Sequence, residues 1–199
     1  MKRILVGVIA VLAFGSCSWP LLATAQSALV VKPLVEKKVA ELPPPPLFWR
    51  VENFPTLAQA QAAVGPAGLA AESAGRVWLF TLGAAGGSSA GGTKIAEIGP
   101  LPQLTAPEYL LRINVATGPP GSITSVHTHP GSEAFYVLAG EQSIRTPQGT
   151  IHVKPGQPET GPGIGTPLQV SSSGPTDLHA LVLFMVDATK PFSTPATLP

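Results

Sequence analysis

Proline and glycine set the strongest limit on this chain: 23 prolines and 21 glycines occur among 199 residues. Proline removes a backbone donor and fixes φ, and glycine supplies turns, so residues this frequent break a chain into short pieces. Long helices are excluded, and short strands joined by turns are the remaining way to bury a core. Material for that core is ample, because 44% of residues are hydrophobic and only 12% charged. One domain with an extension fits the length.

The N-terminus reads as an export signal. Met1-Lys2-Arg3 is a short positive region, and an apolar stretch runs from Ile4 to Gly15. Ala23-Thr24-Ala25 before Gln26 then supplies a small-residue cleavage site. The stretch is short for a membrane-spanning helix, which needs roughly 20 residues. Phe14-Gly15-Ser16-Cys17 is a poor lipoprotein-processing site. Residues 1–25 are therefore expected to be removed, leaving a periplasmic or secreted protein with no stable membrane insertion. Cys17 is the only cysteine and leaves with them, so packing or metal must replace disulfides in stabilising the rest. Ten basic and eleven acidic residues remain from Gln26 onward. They are scattered and form no basic stripe, which argues against nucleic acid as a partner.

Residues 26–75 are expected to form an extended, proline-rich segment, with Pro43-Pro44-Pro45-Pro46 as a spacer. A short helix is expected over 56–64, capped by Thr56 and stopped by Gly65-Pro66. Strands are expected at Arg76–Leu82 and Thr93–Ile98, flanking a flexible Gly/Ser/Ala loop over 83–92. Further strands follow at Tyr109–Ala116, Ile123–His129, Glu133–Leu138, Gln142–Thr146, Thr150–Lys154, Leu168–Ser172 and Leu178–Val186. Turn residues separate them, the signature of a sandwich or barrel. A barrel over 76–190, with its core at 108–187, and an extended tail over 191–199 complete the expected organisation.

Residues 121–140, GSITSVHTHPGSEAFYVLAG, carry the chemistry. His127 and His129 are two apart, so on a strand both imidazoles project from one face. Pro130-Gly131-Ser132 reverses the chain, and Glu133 opens the next strand. Two imidazoles and one carboxylate form a donor set typical of a divalent transition metal with open positions. No phosphate-cradling loop, Gly-x-Ser-x-Gly elbow or cysteine nucleophile competes with it.

At these residues the chain resembles the cupin superfamily. The family's first motif is glycine, five residues, His-x-His, three or four residues, glutamate, six residues, glycine. Gly121, His127, His129, Glu133 and Gly140 stand at those spacings. The resemblance implies an all-β antiparallel jelly-roll barrel holding one iron, manganese, zinc, nickel or copper ion on His127, His129 and Glu133. It admits dioxygenases, decarboxylases, isomerases and lyases acting on a small molecule, and a homodimer is a possible assembly. A non-catalytic module binding a small ligand or metal is the alternative.

The second motif departs from the family pattern. The best register sets Gly163-Ile164-Gly165 on its Pro-x-Gly and places Leu168 where a fourth histidine is usual; a neighbouring register places Thr166 there. His152 is expected at the surface. His179, at the start of the last strand, can face either way.

Overall fold

The computed structural model describes residues 27–199. The expected leader, its cleavage site and Cys17 lie outside them. The elements in order are β1 (Val30–Val39), β2 (Phe48–Phe54), α1 (Leu57–Ala62), β3 (Gly68–Ser73), β4 (Arg76–Gly83), β5 (Thr93–Ile98) and β6 (Tyr109–Gly118). Then come β7 (His127–Thr128), β8 (Gly131–Ala139), β9 (Gln142–Thr146), β10 (Gly149–Val153) and β11 (Pro158–Thr160). The last three are β12 (Gln169–Ser172), β13 (Leu178–Asp187) and β14 (Thr194–Pro195).

A five-stranded antiparallel sheet, β1-β6-β13-β8-β11, forms the middle layer. The smaller sheet β10-β9-β12 faces it on one side and closes the jelly-roll barrel. Alternation along each strand sorts the side chains. Phe135, Val137, Ala180, Val182 and Phe184 point into the barrel with Ile144, Val153, Leu168 and Val170 from the smaller sheet and its approach. Their neighbours Ala134, Tyr136, Leu181, Leu183 and Met185 point the other way, onto a four-stranded sheet ordered β3-β4-β2-β5. Apolar residues cover both faces of β8 and β13, which explains the unbroken runs AFYVL and ALVLFMV. The chain passes from β8 in the large sheet to β9 in the smaller one at Gly140, φ 73°, where a Cβ would lie 2.6 Å from the Asp177 carbonyl oxygen.

The all-β expectation and the short helix hold. Thr56 caps α1 by accepting from the amide of Gln59 at 3.3 Å. Other expectations need correction. The segment over 26–75 is not simply extended: β1 is an edge strand of the barrel's own sheet, and β2 is an inner strand of the four-stranded sheet. β4 and β5 belong to that same sheet, so a boundary at 75/76 cuts a hairpin. Ala74 and Gly75, both at positive φ, connect β3 to β4 there. The loop over 83–92 is pinned rather than free: Glu52 accepts from the Ser89 amide at 2.7 Å and from its hydroxyl at 2.8 Å.

The strand expected over Ile123–His129 shrinks to the two residues of β7 plus isolated bridges at Ile123. Thr124 illustrates why. Its hydroxyl oxygen accepts from the Val170 amide at 3.0 Å, taking a backbone donor that a regular ladder would use.

Candidate metal centre

The barrel brings His127, His129 and Glu133 to one cavity of about 520 Å3. Glu133 is the third residue of β8 and shares the inward face with Phe135 and Val137, beside Phe184 of β13. The two imidazoles meet edge to face, with centroids 4.9 Å apart and planes at 87°. Strand β7 is held from both sides, by Leu168 across one edge and by β14 across the other.

Both rings are oriented by backbone carbonyls. Nδ1 of His127 lies 2.8 Å from the Ser125 oxygen, and Nδ1 of His129 lies 2.7 Å from the Phe192 oxygen. A carbonyl can only accept, so each Nδ1 must carry the hydrogen. In the neutral ring the lone pair then sits on Nε2, the tautomer a metal ligand needs. His129 is 6% exposed, and burial drives its pKa down to about 4. The Phe192 hydrogen bond opposes that fall, while electrostatic interaction with His127 and Arg112 adds to it. His129 is thus a neutral donor near pH 7.

Glu133 is the electrostatic anomaly. It is 4% exposed, and burial pushes its carboxyl up to about 8. Among the described residues its side chain has no hydrogen bond or ion pair to offset the loss of water. A buried carboxylate without a partner is costly, and a bound cation is one way to compensate it. In chemical type, two Nε2 atoms and one such carboxyl suit a divalent transition metal. The arrangement is open: among the described residues no three His, Cys, Asp or Glu side chains are grouped closely enough to hold an ion as they stand.

Several residues that the sequence did not single out shape the cavity. Arg112 and Asn114 alternate along β6 and face it. Arg112 donates from Nε to Glu36 at 2.6 Å and lies 4.2 Å over the Phe192 ring. Asn114 is 3% exposed, and its Oδ1 has no partner among the described residues. Their period-two spacing on a strand was the available signal. Phe192 and Ser193 also line the cavity, from a tail that carried no signal beyond its prolines.

Leu168 is 1% exposed and packs in the barrel core, but it does not line the cavity, and neither does Thr166. His152 is at the surface, bonded to Glu141 and Ser143. His179 is absent from the cavity wall.

No protein-family model matches the sequence, and no curated protein matches it. Solved structures do. A DMSP lyase from Ruegeria pomeroyi DSS-3 is 24% identical, with 43% of this chain and 43% of that one covered and a TM-score of 0.38. A cupin superfamily protein from Desulfitobacterium hafniense DCB-2 is 18% identical over 39% of this chain and 68% of its own, TM-score 0.35. A cupin-like protein from Thermotoga maritima is 16% identical over 44% and 65%, TM-score 0.39. The chain spans less than half of the lyase's length.

Proposed function

We infer that this chain, a cupin by its first motif and its jelly-roll barrel, is an exported protein that holds one divalent transition metal on His127, His129 and Glu133 and converts a small molecule in the adjoining cavity. The carrying observation is that two imidazoles, each held through Nδ1 by a backbone carbonyl so that Nε2 is the donor atom of the neutral ring, share one cavity with a buried carboxyl that has no partner among the described residues. Bound there, such a metal supplies Lewis-acid or redox chemistry at its open positions. The chain's own residues do the rest. Phe135, Phe184 and Phe192 give the substrate an apolar wall, and Asn114 and Arg112 supply the few polar groups that fix its orientation. Dioxygenase, decarboxylase, isomerase and lyase reactions all fit a site of this kind. Removal of residues 1–25 puts the activity in the periplasm or outside the cell.

The test compares wild type with His127→Ala. Elemental analysis of protein purified from its native compartment should find one metal per chain in the wild type only. A metal at about 100 times its dissociation constant should stabilise the wild type by about 2.7 kcal/mol. A chelator should therefore lower its melting temperature and leave the variant unchanged. Equal responses from the two proteins overturn the reading.

One observation favours a second reading, a non-catalytic module that binds a small ligand. The three donors do not yet converge to hold an ion, while the cavity wall is largely apolar. Dioxygen-uptake and turnover assays on the metal-loaded protein separate the two: the module binds and saturates without turnover.

A further inference from the structure

We propose that the C-terminal tail is a working part of the metal centre, with Phe192 as the positioning residue that fixes His129 as an Nε2 donor. The inference rests on the metal reading above and adds the residues that prepare the ligand.

Three independent contacts tie the tail to the site. The Phe192 carbonyl accepts from Nδ1 of His129 at 2.7 Å. The Phe192 ring stands 4.8 Å from the His129 ring and 4.9 Å from Phe184, centroid to centroid, under the Arg112 guanidinium. Beyond it, β14 pairs with β7, Thr194 opposite Thr128 and Pro195 opposite His127, and the Ala196 amide donates to the Val126 carbonyl at 3.1 Å. The tail therefore grips the very segment that carries both histidines.

The consequence is chemical. Without the Phe192 oxygen, nothing in the described structure keeps the His129 proton on Nδ1, and the ring can place it on Nε2, where it blocks a metal. His127 is held separately, by Ser125, and serves as an internal reference. Partners of this kind are typically worth 10- to 100-fold in metal affinity.

The experiment uses full-length protein and needs no activity assay. Phe192→Gly combined with Ala196→Pro loosens the tail at both ends; Phe192→Tyr keeps ring and carbonyl. Nitrogen NMR of the metal-free proteins reads which ring nitrogen of each histidine bears the proton, and zinc titration reads affinity. The wild type and Phe192→Tyr should show His129 protonated on Nδ1. The double variant should lose that preference at His129, keep it at His127, and bind zinc about 10- to 100-fold more weakly. An unchanged His129 proton and unchanged zinc affinity in the double variant overturn the proposal. If His127 loses its preference too, the segment itself has come apart, and Ala196→Pro alone is read by the same criteria. If His129 behaves as stated but the wild type binds no zinc, the metal reading fails while the tail's hold on His129 stands.

Discussion

Leu168 lies directly across from His127, the two residues exchanging both backbone hydrogen bonds at 2.9 and 3.0 Å. In an antiparallel pair, directly opposed side chains project on the same side. Leu168 is thus the neighbour of a proposed metal ligand, although it packs into the core rather than lining the cavity. Leu168→His should place a further imidazole beside His127. Loss of a fully buried leucine should destabilise the metal-free variant by about 2 kcal/mol or more. Zinc should recover part of that loss and should bind more tightly than to wild type. Thr166→His, two residues away in a turn closed on Gly163, should leave zinc affinity unchanged. Titration of both variants decides; tighter binding by Thr166→His alone means the register is misread.

The parts of the molecule that were legible in the sequence are those with strong local signals. Thr93–Ile98 and Gln142–Thr146 are short segments bounded by turn residues, and β5 and β9 match their expected bounds to the residue. His127, His129 and Glu133 do line one cavity, although β7 ends at Thr128 and tertiary packing, not period-two projection, brings Glu133 of β8 to the two rings. β1 was not legible. Val30–Val39 contains Pro33 and three lysines, and its pairing with β6 runs across some 80 residues of chain. Phe192 was equally silent, because a single phenylalanine among prolines says nothing about which distant ring it covers.

Export is tested by mass. The proposed cleavage follows Ala25 and rests on the charged start, the apolar stretch and Ala23-Thr24-Ala25. Protein recovered from the periplasm or medium should have an intact mass that begins at Gln26. A product retaining residues 1–25 refutes the export proposal without touching the barrel.

The metal-free protein should show an unusual pH profile. Glu133 has its folded pKa raised from 4.5 to about 8, so the stability from its proton is full below 4.5 and lost as pH rises through 8. His129 is lowered from 6.5 to about 4, so its contribution is full above 6.5 and lost as pH falls through 4. Between 4.5 and 6.5 the two slopes oppose each other. From 6.5 to 8 only the Glu133 loss remains, at up to about 1.4 kcal/mol per pH unit. Chemical denaturation across that window should show the decline in wild type and a flat line in Glu133→Gln. Saturating metal should flatten the wild type as well, since it holds Glu133 ionised. A flat wild-type profile without metal would mean that Glu133 is better solvated than its burial implies.

The placement of Glu133 depends on a glycine outside both motifs. Gly161 follows β11, and its amide donates to the Glu133 carbonyl at 2.9 Å. A Cβ there would lie 2.5 Å from Cγ of Glu133, 2.9 Å from its carbonyl oxygen and 3.0 Å from the Phe135 ring. The backbone of β11 cannot retreat easily, because it is paired to β8 at Thr160 opposite Ala134. Gly161→Ala must therefore push the Glu133 side chain, the Phe135 ring or both, and overpacking of this sort costs about 1–3 kcal/mol. The carboxyl should move out of line with the two imidazoles. Stability and zinc affinity should then fall together. Gly163→Ala, where the nearest atom is Oγ1 of Thr166 at 3.7 Å, should change neither. A Gly161→Ala protein that is less stable yet binds zinc as tightly as wild type would remove Glu133 from the ligand set while leaving the fold intact.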